Sequence, residues 1–342
     1  MSTVDATTAI DKGPPNDRPG GLLLDVRDLR ITFSTRQGDV NAVNGVSFDV
    51  RRGEIVAIVG ESGCGKSATA LSLLRLIPEL PGRVTGQILF EGDDLYKMST
   101  AEIQAIRGDR IAMIFQEPMT SLNPVHTIGR QVGEPLRVHR GASADDALAR
   151  AAELLGGVNI SEPEIRIRNY PHQFSGGMRQ RVTIAMGMGC KPDLIIADEP
   201  TTALDVTIQA QVLELLCQQV DNNHSSMLII THNLGVVAQY ADRVFVMYAG
   251  RIVESAMAHE LYSDPRHPYT MGLLSSVPRL DQRATERLAE IAGQPPDPLK
   301  LPPGCPFQPR CPRAIDRCRV EMPPLEAVSQ THKRACWVDA HG

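Results

Sequence analysis

The chain has 342 residues, enough for two domains or for one large domain with an appendage. Hydrophobic residues make up 42% and charged residues 22%, with 28 Gly and 25 Pro, which excludes a disordered, collagen-like or low-complexity polymer. A formal net charge of −5 argues against nucleic-acid binding through a broadly basic surface, and no apolar run reaches the length of a membrane-spanning helix.

Residues 1–20 are a polar leader with Asp5, Asp11, Asp17 and a Gly13-Pro14-Pro15 break. They hold no apolar secretion signal, so a cytosolic, reducing compartment is expected. Leu22–Val26 and Val46–Val50 alternate about a Gly38-Asp39 turn and predict a small antiparallel β element. Glu54–Gly60 is almost unbroken apolar sequence, as in a strand covered on both faces. Ser67–Leu76 has helical spacing until Pro78 stops it, and Ile111–Phe115 is the next strand, followed by a loop to Pro124. From 127 to 188 no strand is convincing, and Ala142–Leu155 and Met178–Met188 read as helices, so a helical insertion is expected at about 125–188. Strands resume at Leu194–Ala197, Met227–Ile230 and Val244–Met247, with a helix over Ile208–Val220. This alternation predicts a largely parallel α/β sheet. From Pro278 onward, closely spaced prolines forbid long regular elements and mark a tail of different construction.

Gly60-Glu61-Ser62-Gly63-Cys64-Gly65-Lys66-Ser67 fits the phosphate-loop pattern G-x-x-x-x-G-K-[ST], placed between a buried strand and a helix. The glycines let backbone N–H groups wrap an anion, the helix start adds partial positive charge, Lys66 is suited to the β and γ phosphates, and Ser67 to Mg²⁺. A phosphate loop also needs a carboxylate for the metal and a group to prepare water. Asp198 and Glu199, ending the Leu194 strand, supply the pair. Gln116 and His232 each follow a strand. Gln116 could ligate Mg²⁺ or water and His232 could reach the γ-phosphate, although either pattern alone more often marks a structural side chain. Phe174-Ser175-Gly176-Gly177-Met178-Arg179-Gln180 opens a helix and forms a second anion nest. One nucleotide does not need two cradles on opposite faces, so this nest is expected to serve a nucleotide held by another chain in a head-to-tail dimer.

Taken in order, these residues resemble the ATP-binding cassette (ABC) ATPases. Gly60–Ser67 matches the Walker A motif, Gln116 the Q-loop, and Ser175–Gln180 the signature. Leu194–Asp198 with Glu199 matches the Walker B motif, Ala203-Leu204-Asp205 the D-loop, and His232 the H-switch. The resemblance spans about residues 22–275 and implies an α/β P-loop NTPase core, with a mainly parallel sheet, an antiparallel β subdomain and a helical subdomain. Phe115–Pro124, Phe174–Arg181 and His267-Pro-Tyr-Thr270 are similar to the oligopeptide/dipeptide importer subfamily, D-type subunit, whose substrates also include nickel complexes, opines and glutathione. That implies MgATP hydrolysis driving closure of two cassettes, a homologous second ATPase as partner, two membrane permease subunits, and an extracytoplasmic peptide-binding protein. It also implies a peripheral place on the cytoplasmic face of the inner membrane, with no nucleic acid. A cassette ATPase acting on nucleic acid or ribosomes is the rival class, disfavoured by the acidic charge and by the single cassette. Three positions depart from the pattern: Phe174 and Met178 within the signature, and Asn233 after His232. No adenine-stacking aromatic is in clear register, and Phe33 is read as a core strand residue.

The organisation expected is a leader over 1–20, the ATPase over 21–275 and an extension over 276–342. Four of the seven cysteines crowd into that extension as Cys305-x₅-Cys311-x₆-Cys318-x₁₇-Cys336. Structural zinc prefers closer pairs, whereas the wider spacing suits an iron–sulfur cluster on four thiolates, and six basic against three acidic residues between the outer cysteines would stabilise its negative charge. Zinc and free thiols are the alternatives. The extension also resembles that of the same importer subfamily, which implies a [4Fe–4S] cluster.

Overall fold

Two sheets organise the chain, and the computed structural model describes residues 21–116, 121–201, 206–276 and 291–339. β1 (Leu22–Thr35) and β2 (Gly38–Arg51) form the expected hairpin, longer than the alternating runs alone suggest. β3 (Ile55–Val59) then enters the main sheet, while β4 (Gly82–Phe90) and β5 (Asp93–Asp94) complete an antiparallel sheet of order β2-β1-β4-β5. The main sheet adds β6 (Ile111–Ile114), β7 (Leu194–Asp198), β8 (Ser226–Thr231), β9 (Arg243–Tyr248), β10 (Arg251–Met257), β11 (Glu326–Ala327) and β12 (Lys333–Arg334). Its order is β11-β12-β10-β9-β3-β8-β7-β6. The five strands from β9 to β6 run parallel, and β10, β12 and β11 extend that sheet antiparallel.

The apolar runs become central strands because alternate side chains enter different cores. Val56 and Ile58 of β3, Ile196 of β7 and Ile230 of β8 face a core shared with Leu24, Ile31, Val46 and Phe48 of the antiparallel sheet; Phe33 packs against its edge. Ile55, Ile195 and Ile229 face the opposite way, into a core closed by helices. Each such fully buried aliphatic side chain contributes about 1.5–3 kcal/mol.

The helical insertion is present as Ile128–Arg140, Ala144–Gly157, Pro163–Arg166 and Gly176–Met188. Gly141, at φ 65°, ends the first of these helices. Ser143 caps the second by accepting from the Asp146 N–H, with Asp145 and Asp146 in its positive first turn. Val132, Leu155, Phe174 and Val182 are among the side chains this insertion buries in the core it shares with the sheet.

The tail does not stand apart. Phe307, Cys305 and Cys318 share a third core with Val59, Val246, Tyr248, Val253 and Tyr269 of the sheet side. β12 pairs with β10, Glu254 opposite Arg334, and the Ala335 N–H donates to the Val253 carbonyl. Proline spacing reads correctly as a lack of long elements here, but it carries no sign that the short pieces finish the main sheet. Among the described residues, no helix is long and apolar enough to cross a membrane.

Candidate functional site

The P-loop follows β3 and ends in the helix Lys66–Leu73. Its glycines are demanded by crowding as well as by backbone angle. A Cβ on Gly60 would stand 2.2 Å from the Met247 carbonyl oxygen, and one on Gly65, at φ 105°, 2.3 Å from the Ala42 carbonyl oxygen. Lys66 is only 5% exposed. Its ammonium group donates to the carbonyls of Gly60 at 2.8 Å and Glu61 at 2.9 Å, so the cation lies inside the loop that is to receive an anion. The outer limb is fixed too. The Glu61 N–H donates to the Tyr269 hydroxyl at 2.9 Å, and the Glu61 carboxylate accepts from Arg310 at 2.6 and 2.9 Å. Cys64 is buried, and that burial raises its thiol pKa.

Acidic groups reach the loop from the end of β7, and His232 follows the end of β8. The Ser67 hydroxyl donates to Asp198 Oδ1 at 3.1 Å. Burial pushes the Asp198 carboxyl above its ordinary range, and the neighbouring charge of Glu199 adds to this, against the Ser67 hydrogen bond and Lys66. Glu199 adopts φ 45°, a left-handed conformation rare for a side chain other than Gly, while its N–H donates to the Ile230 carbonyl at 2.8 Å. This turn at the strand end aims its carboxylate at two other candidate residues. Gln116 Nε2 donates to Glu199 Oε2 at 3.1 Å, and His232 Nδ1 lies 3.4 Å from Oε1. His232 is 60% exposed, with room to turn. Asn233 shapes the turn after it: its N–H donates to Thr231 Oγ1, and its own Oδ1 accepts the Gly235 N–H.

Gln116, Glu199 and His232 therefore form one group, and Ser67 and Asp198 an adjacent one. The signature nest is separate. Ser175 caps the helix Gly176–Met188 by accepting from the Met178 N–H at 3.3 Å, and Ser175 and Gly176 are exposed. No hydrogen bond or ion pair among the described residues joins Ser175–Gly177 to the P-loop. Gln180 differs from its neighbours: it is 1% exposed, and its amide nitrogen has no hydrogen-bond partner, so this side chain is turned inward rather than onto the nest's open face. Asp205, with the rest of 202–205, lies outside the described residues, as do 1–20 and 117–120.

The four tail cysteines line one small cavity, together with His267, Phe307, Arg313 and Trp337. Burial raises the Cys305 thiol to about 11, and the charges of Cys318, Cys336 and Cys311 add to this. Cys311 and Cys336 are raised by burial as well, each with contributions from other cysteines of the set. Among the described residues, no three His, Cys, Asp or Glu side chains are grouped as a single metal ion requires. The sequence reading noted Tyr269 within the His267–Thr270 motif and Arg310 among the basic residues of the tail, but not their contacts with Glu61, since no short-range spacing announces a partner 208 or 249 residues away.

The family model described as ABC transporter matches residues 43–202, and the one described as oligopeptide/dipeptide transporter, C-terminal region, matches residues 253–318. Over 320 residues the chain is 49% identical to the oligopeptide transport ATP-binding protein OppD of Salmonella typhimurium, covering 94% of this chain and 95% of that protein. Over 317 residues it is 51% identical to the dipeptide transport ATP-binding protein DppD of Bacillus subtilis, covering 92% and 94%. It is also similar to the dimeric, post-hydrolysis structure of the ATP-binding cassette MJ0796 bound to ADP and Pi, at 27% identity and a TM-score of 0.62, over 69% of this chain and 99% of that one.

Proposed function

The chain belongs to the ABC transporter family, in the oligopeptide/dipeptide branch, and from that premise we propose how its residues divide the work. It is the ATP-hydrolysing, nucleotide-binding subunit of a peptide importer. In the reading we favour, Gly60–Ser67 hold the phosphates of ATP, with Lys66 turning from the Gly60 and Glu61 carbonyls to the β and γ phosphates. Ser67 and Asp198 would hold Mg²⁺, and Gln116, bonded to Glu199 next in sequence to Asp198, would share in that role. The ion offsets charge on the phosphate oxygens and favours the ionised form of Asp198.

Glu199 orients and deprotonates the attacking water, while Gln116 and His232 fix its two carboxylate oxygens. The observation that carries this reading is the convergence of Gln116 and His232 on Glu199, one residue beyond the Asp198 that bonds Ser67. Proton abstraction of this kind is worth about 10²–10⁴-fold in rate. Glu199→Gln should therefore bind ATP normally while turnover in the assembled transporter falls by about that factor. Near-normal ATPase activity there would refute the assignment.

The exposed nest at Ser175–Gly177 is read as half of a second site, completed by the P-loop of a homologous ATPase subunit, with Asp205 as a further member of the interface; the buried Gln180, expected there from the signature pattern, supports the nest from within instead. Closure and reopening of that dimer would be passed to two permease subunits on the cytoplasmic face of the inner membrane, with peptide delivered by an extracytoplasmic binding protein. Residues 21–275 are read as the ATPase unit and 276–342 as an extension docked on it.

The donor set of the extension fits an iron–sulfur cluster. Four thiols line one cavity, their mutual repulsion would be relieved by a polynuclear cation, and the surrounding chain carries surplus positive charge. Cys305, Cys311, Cys318 and Cys336 would hold it, and when bound it would act as a covalent staple with one-electron redox capacity. Anaerobic absorption with iron and zinc analysis tests this; one zinc per chain without iron would sink it.

A further inference from the structure

We propose that Arg310 is a positioning residue for ATP binding: by pairing with Glu61 it holds the outer limb of the phosphate loop, and so places ATP affinity under the control of the tail. This rests on the reading of Gly60–Ser67 as the ATP site. The Arg310 side chain is only 4% exposed. Its two terminal nitrogens donate to the two Glu61 carboxylate oxygens at 2.6 and 2.9 Å, and its remaining donors meet the Ile291 and Ala292 carbonyls at 3.1 Å each. Tyr248, whose hydroxyl lies 3.4 Å from the same group, packs with Tyr269 and Phe307 at ring separations of 4.5 and 5.3 Å. A planar fork held at this many points fixes the angle as well as the distance of its partner.

Glu61 is not a remote anchor. Its carboxylate takes Arg310, its N–H goes to Tyr269, and its carbonyl accepts the Lys66 ammonium at 2.9 Å. One residue thus joins the tail to the cation that meets the phosphates, and a change in the set of Arg310 re-aims Lys66 through two hydrogen bonds. At its other end Arg310 precedes Cys311, and the Cys311 N–H donates to the Gln308 carbonyl in the same turn whose Phe307 and Gln308 wall the cysteine cavity. Loss of order around the cysteines therefore reaches the P-loop by a short route. An ion pair serving the tail alone would find its acid within the tail.

The test uses the full chain purified anaerobically, with binding of a fluorescent ATP analogue, thermal melting, and KM and kcat in the assembled transporter. Arg310→Gln should weaken analogue binding about tenfold or more and raise KM, with kcat changed much less; Arg310→Lys should recover part of the loss. Glu61→Gln leaves the tail's internal contacts in place. It should weaken binding to a similar degree, and the double variant should be no worse than the poorer single one. Cys311→Ser should weaken binding when Arg310 is present and have little further effect in Arg310→Gln. If Arg310→Gln melts too early to assay, Glu61→Gln decides. If Lys66→Ala abolishes binding while Glu61→Gln binds like the parent, the positioning role is overturned and the ATP site stands. If Lys66→Ala itself binds normally, the ATP reading falls instead.

Discussion

The two anion nests of this chain begin from the same local chemistry, glycines at the start of a helix, and end in opposite conditions. At Gly60–Ser67 the space behind the loop is full. Carbonyls of Ala42 and Met247 crowd the glycines, Lys66 already occupies the interior, and Ser67 meets Asp198. At Ser175–Gly177 the hydroxyl bonds only its own helix turn, and the front is exposed. The same backbone device is closed in behind by the fold in one place and left open in the other. What separates them is how many elements distant in sequence converge on each.

That contrast can be broken in order of effect. Lys66→Ala should reduce ATP affinity of the isolated chain by about two orders of magnitude, because a charged donor inside a closed nest is worth several kcal/mol; no change in a titration would dissolve the distinction. Next come the glycines. Gly65→Ala forces a Cβ against backbone at a positive φ and should lower stability by about 2–4 kcal/mol, visible in urea melts. Gly177→Ala meets only the Ile208 side chain at 3.0 Å and should stay within about 1 kcal/mol of the parent, yet impair ATPase activity that depends on a partner chain. Equal melts for the two variants would contradict the full-versus-open picture.

Smaller still is Ser175→Ala, which should cost about 1 kcal/mol through loss of the helix cap and leave ATP binding by the isolated chain intact. The smallest effect has the reverse sign. The pKa of Asp198 is raised in the fold, so its stabilising contribution is present below its unfolded pKa and lost as pH rises through the folded value. At neutral pH the ionised carboxylate is therefore a burden, and Asp198→Asn should raise the melting temperature of the nucleotide-free chain slightly, while abolishing Mg²⁺-dependent turnover. A lower melting temperature would show that the Asp198 charge stabilises the free site.

The closed nest was legible in the sequence because its members lie in one short stretch, and β3, β7, β8 and β9 were legible because strands buried on both faces are written as uninterrupted aliphatic runs. β10 was not, since Arg251–Met257 carries Glu254, a fully buried carboxylate that reads as surface until His332 and the Arg266 and His267 N–H groups are seen to satisfy it. β4 was hidden by Gly86, whose φ of 102° and tight approach to the Arg27 and Asp28 carbonyls mark an irregularity in the ladder. The docking of the tail was invisible for the same reason as Arg310: its partners are fixed by the three-dimensional fold and by no local spacing.

The pairing of β12 with β10 also has a bearing on biosynthesis. Until Lys333 and Arg334 leave the ribosome, β10 is a bare sheet margin in an otherwise assembled nucleotide-binding unit, open to any extended chain that passes. Once β12 pairs there that margin is covered, and the next margin, β11, is two residues long and carries Glu326.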